Sequence, residues 1–102
     1  GAYAGIVAVG SGAGNNPNTR SVHVGYLAGT NNNGFGAINI GFQAGGYATR
    51  SSSISIGYQS AAGTSSVALG YQAGENTGEG NTFIGREAGR NTTGGNNVTI
   101  GY

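Results

Sequence analysis

A glycine that closes a short apolar phrase returns at Gly10, Gly25, Gly41, Gly57, Gly70, Gly85 and Gly101, at intervals of 15, 16, 16, 13, 15 and 16 residues. A near-constant period running from one end to the other makes residues 1–102 a single repeat array, not a globule around a central core. Each period must be a unit that is completed by its neighbours. Fifteen residues are too few for the helical pairs of ankyrin-type repeats or for a propeller blade.

The columns of the repeat say what the unit is. Three residues before the anchor glycine stand Val7, Val22, Ile38, Ile54, Val67, Thr82 and Val98, and one before stand Val9, Val24, Ile40, Ile56, Leu69, Ile84 and Ile100. Between them lie Ala8, His23, Asn39, Ser55, Ala68, Phe83 and Thr99. Alternation of β-branched residues at period two marks a short strand with one buried face, and it excludes a helix, on which positions two apart diverge. The aliphatic columns are therefore expected to form the core, with the column between them facing outward. Third and fourth after the anchor come a small residue and, in most units, a second glycine, as in Ala28–Gly29, Ala44–Gly45 and Ala73–Gly74. That pairing suggests a corner with positive φ or close backbone approach. The remaining residues of each period, as in "NNPNTR" and "ENTGEG", are turn formers. The expected fold is all-β: a parallel β-solenoid of about seven coils of 13–16 residues, each stacked on the last at ~4.8 Å.

Composition removes several classes of function. A formal charge of +1 from four arginines and three glutamates supplies no electrostatic footprint for nucleic acid or an acidic membrane. No apolar run approaches the ~20 residues of a membrane span, so no membrane insertion is expected. The chain lacks cysteine, which removes disulfides and thiolate metal sites. It also lacks lysine for a phosphate-binding loop and aspartate for calcium-binding nonapeptide repeats. We expect no cofactor and no metal.

With 23 glycines in 102 residues, each coil has few apolar side chains to set against the entropy of ordering about fifteen residues. Packing against copies of itself is the expected remedy, which makes the chain a homo-oligomer. Neither end of the sequence shows a capping unit of the kind solenoids use, so we expect a segment of a longer fibre or a unit that stacks end to end.

The phrases "SVALGYQAG" and "SISIGYQSA" resemble the repeats of the YadA-like head of trimeric autotransporter adhesins, and "GYQAG…NTG…NTFIG" is similar to repeats of phage and other viral tail fibre proteins. The resemblance spans all the units and is best from Ala37 to Gly89. It implies a left-handed β-roll, three chains about one axis, and an extracellular place on a cell or virion surface as a rigid stalk or head that touches a host receptor or surface glycan. By position it implies that the aliphatic columns pack in the roll and trimer core.

Candidate sites are few. His23, with no aspartate or cysteine anywhere to orient it, is read as a surface histidine, because a working base needs an orienting group. Glu75, Glu79 and Glu87 are the only carboxylate side chains that could pair for glycoside hydrolysis, and with Arg86 and Arg90 beside them surface ion pairing is the better reading. An enzyme is not expected. After the anchor, Tyr26, Phe42, Tyr58 and Tyr71 form an aromatic column, either a packing ladder or a platform for sugars. Asn91 in "NTT" and Asn97 in "NVT" match the N-glycosylation pattern. The leading expectation is thus a structural fibre module, with a self-polymerising fibril subunit and a glycan-recognition module as alternatives.

Overall fold

A computed structural model describes residues 6–14, 21–30, 35–45, 51–75 and 78–102. The turn-forming stretch 15–20 and residues 76–77 of "ENTGEG" lie outside the described residues. The fold is an all-β solenoid. Among the described residues seven strands, β1 (Ile6–Val9), β2 (Ser21–Val24), β3 (Ile38–Ile40), β4 (Ile54–Ile56), β5 (Val67–Leu69), β6 (Thr82–Ile84) and β7 (Val98–Ile100), form one sheet in sequence order. Every neighbouring pair is parallel, so the chain completes a circuit between one strand and the next. The pairing is in register with the repeat: Val22 lies beside Ile38, Ile38 beside Ile54, and Ile54 beside Val67. The molecule measures 37 × 20 × 16 Å.

The anchor glycines terminate the strands and hold the stack together. Their φ angles run from 114° at Gly101 to 135° at Gly70, a region that side chains rarely adopt. Each anchor N–H from Gly25 onward donates to the carbonyl just before the previous anchor, as from Gly41 to Val24 and from Gly57 to Ile40, both at 2.8 Å. A Cβ built on any anchor from Gly10 to Gly85 would lie 2.5–2.7 Å from the carbonyl oxygen of the next anchor. Glycine is therefore required twice at each of these positions, by dihedral angle and by contact. Bonds in the opposite direction complete the stacking. Val22 N–H donates to Ala37 at 2.9 Å and Val67 N–H to Asn81 at 2.8 Å, while on the far wall Gly29 N–H donates to Ala44 at 2.8 Å.

The side chains face the other way from the expectation. The residues assigned to the core, Val7, Val9, Val22, Val24, Ile38, Ile40, Ile54, Ile56, Val67, Leu69, Ile84, Val98 and Ile100, line the outside of the coil and are half-buried to exposed, reaching 72% at Ile100. The column between them points inward instead: His23, Asn39, Ser55, Ala68 and Phe83 are all fully buried. His23 is thus an interior histidine, not a surface one. The reason is space. Across the coil from the strands stand Ala28, Ala44, Ser60, Ala73 and Ala88, each no more than 1% exposed, with a glycine next in most units. A Cβ on Gly29 would overlap the His23 imidazole, one on Gly45 the Asn39 amide, and one on Gly89 the Phe83 ring. A strand of three residues can turn one side chain per row into so thin an interior, but not two β-branched ones.

Replacing Gly57 by Ala combines a strained φ of 131° with a Cβ 2.6 Å from the Gly70 oxygen. The expected loss is about 2–5 kcal/mol. Gly36→Ala, at φ 67° with open space around the new Cβ, is expected to lose only about 1–2 kcal/mol. Urea unfolding of the two variants checks the difference, and equal losses would refute the contact.

Candidate functional site

The first residues after each anchor build two parallel ladders along one edge of the solenoid. Tyr26, Phe42, Tyr58 and Tyr71 stack ring on ring, with centroids 5.4, 4.9 and 5.1 Å apart and planes within 17° of parallel. Arg86 continues the column, its guanidinium 5.3 Å from the Tyr71 ring centroid and 5.6 Å from that of Tyr102. These are cation–π distances, so the planar cation occupies the slot of a ring. The aromatic side chains are 38–51% exposed from Tyr26 to Tyr71. What they expose is their edges, because each interior face is covered by the next ring. A sugar ring lies flat on an aromatic face, and between these rows no such face is open. The geometry favours the packing role of the ladder.

The second ladder was not anticipated. Two residues after the anchor, Leu27, Gln43, Gln59, Gln72 and Glu87 all adopt the left-handed conformation, with φ between 52° and 57°. That conformation costs a side-chain-bearing residue about 1–2 kcal/mol. Glutamine supplies a return. Gln59 Nε2 donates to Gln43 Oε1 at 2.8 Å, and Gln72 Nε2 donates to Gln59 Oε1 at 2.9 Å, so the amides form a chain along the axis. Glu87 ends the chain where Arg86 interrupts the rings, and the two side chains pair at 3.4 Å. The sequence signal for this ladder was present in the recurrence of "YQ" and "FQ", but only the backbone geometry gives it meaning.

A third polar column precedes the strands. Ser21, Ser53, Ser66 and Asn81 are each 1% exposed. Ser66 Oγ accepts from the Asn81 N–H at 2.9 Å, and Asn81 Oδ1 accepts from the Asn97 N–H at 2.8 Å. The short unit between Gly57 and Gly70 uses hydroxyls in the same way: Ser60 Oγ donates to the Ala68 carbonyl at 2.7 Å, and Ser55 Oγ accepts from the Ala62 N–H at 2.9 Å. There Ala61 stands where most units have glycine, opposite the small Ser55.

Inside the stack, His23 and Asn39 lie side by side in register, with Nδ1 and Nδ2 3.0 Å apart. Among the described residues, the buried His23 Nε2 and Asn39 Oδ1 have no hydrogen-bond partner. Burial holds the imidazole pKa below its ordinary 6.5.

Arg86, Arg90, Glu75 and Glu87 pair with one another at the surface. Arg90 bridges Glu75 at 3.1 Å and Glu87 at 3.2 Å. Glu75 above all, then Glu87, raises the Arg90 pKa further above its ordinary value. Pairs this exposed contribute little to stability. Glu79 is exposed, Asn91 is exposed and Asn97 is half-buried. Among the described residues no group of three metal-ligating side chains occurs, and no helix is long and apolar enough to cross a membrane. Comparison with protein-family models, curated proteins and solved structures found no match to this chain.

Tyr58 stacks on two rings, each contact worth about 0.5–1.5 kcal/mol, so Tyr58→Ala is expected to lower stability by about 1–3 kcal/mol and to weaken the near-ultraviolet circular dichroism of the stack. Gln59→Gly loses both amide bonds but relieves the left-handed backbone, so its loss should be under about 1 kcal/mol. Thermal unfolding of both variants is the check, and an unchanged midpoint for Tyr58→Ala would mean that the ring contacts contribute nothing.

Proposed function

We propose that the chain is a structural module of a surface-exposed fibre: a rigid rod that works by length and stiffness and associates as a homotrimer. The observation that carries this reading is the outward placement of the aliphatic columns. Two parallel rows of Val, Ile and Leu, interrupted by Thr82, run the length of the sheet and lie half-buried to exposed on its outer face. Apolar surface of that extent on one face is the mark of an interaction site. The thin interior of Ala, Gly, Ser and Asn offers little burial energy, so covering the outer face supplies what the coil lacks.

The resemblance to YadA-like adhesin heads and viral tail fibres accords with the same arrangement: a left-handed roll, three chains with the aliphatic columns between them, and an extracellular, cell-surface or virion-surface site where the rod meets a host. The partner of the aliphatic face is then another copy of the chain, and the receptor or glycan would be met elsewhere on the rod.

Light scattering with electron microscopy of the same sample tests the assembly. A mass of three chains is the expected result; open-ended filaments would replace the module by a self-polymerising subunit, and a monomer would refute association. Ile40→Asp, at a half-buried outward position of β3, is expected to dissociate the trimer.

A further inference from the structure

The inward column divides the rod into two chemically different halves. In β2, β3 and β4 it reads His23, Asn39 and Ser55; in β5 and β6 it reads Ala68 and Phe83, and all five are fully buried. Only one of these side chains can titrate. His23 packs between Ala8 of β1 and Asn39 of β3, with Gly14 and Gly29 across the coil. None of those neighbours carries a charge or a titratable group, and among the described residues Nε2 has no hydrogen-bond partner. A proton added there would create a buried cation with no counter-ion beside it, a form the interior disfavours.

We infer that His23 is a built-in acid release: mild acidification opens the β1–β3 end of the rod while β5 and β6 stay closed. Folding keeps the imidazole neutral, whereas the unfolded residue takes up a proton near its ordinary pKa of 6.5. Stability is therefore complete above that pH and falls as pH drops below it, with the local opening equilibrium shifting by up to tenfold per pH unit until the folded residue also protonates.

The fold supplies its own control. Phe83 occupies the equivalent inward position of β6 and packs on Gly89 as His23 packs on Gly29, so His23→Phe places a ring of accepted shape in the same slot.

Amide hydrogen exchange on the whole chain, corrected for intrinsic rates, reads the two ends separately. Between about pH 7.5 and about pH 5, the Val22, Gly25, Ile38 and Gly41 amides are expected to lose protection, by no more than about tenfold per pH unit, with Val67, Gly70, Thr82 and Gly85 unchanged. In His23→Phe the loss should vanish. Equal protection of the first group at both pH values, or the same loss in His23→Phe, would overturn the inference. A variant-free check is the nuclear magnetic resonance titration of the His23 ring: a midpoint below 6.5 supports it, and one at or above 6.5 refutes it.

Discussion

The stack depends on a close approach between glycines. Each anchor from Gly10 to Gly85 places its α-carbon against the carbonyl of the next, with room for a hydrogen and none for a methyl group. Since the φ angle there is also positive, the anchor is the point where the strand stops, the chain turns and the row spacing is set. Everything else in the repeat is measured from it. Turn segments differ in length between rows, which is why the interval ranges from 13 to 16 residues without disturbing the strand register.

Once rows superpose, any side chain repeated at a fixed distance from the anchor meets its own copies. Rings then stack on rings, amides bond to amides, and the serine and asparagine column bonds to the backbone of the next row. The row containing Gly85 shows how tightly the columns are coupled. Arginine replaces the aromatic residue and glutamate replaces glutamine in the same row, and the two changes compensate: the guanidinium stacks where a ring would, and the carboxylate that cannot donate along the amide chain turns to arginines instead.

The period, the strands, the anchors and the parallel solenoid were all legible from the columns, because a side chain that must match its neighbour above and below leaves a fixed spacing in the text. Which face of the strand lies inside was not. Alternation is symmetric: it says that two faces differ, and hydrophobicity chose the wrong one for Val22, Ile38 and Ile54. The usable clue was the Ala–Gly pair after each anchor, whose smallness measures the interior and admits one facing side chain, such as His23 or Phe83. The glutamine ladder was hidden for another reason. Left-handed backbone at a non-glycine residue has no sequence signature of its own, so Gln43, Gln59 and Gln72 read as solvated polar residues until their φ angles placed them in line.

The inversion of inside and outside separates two tasks that a globular core performs together. The interior of this coil specifies shape: its alanines and glycines permit close approach, and its few larger groups each face a glycine that leaves them space. It contributes little burial, and at His23 and Asn39 it even leaves polar atoms unpaired among the described residues. The β-branched residues, which hold most of the chain's capacity for hydrophobic stabilisation, are displayed on a flat face instead. A chain built this way has its geometry written within itself, and its β-branched side chains add stability only where that face is covered; in the proposed trimer, rod formation and association are a single equilibrium.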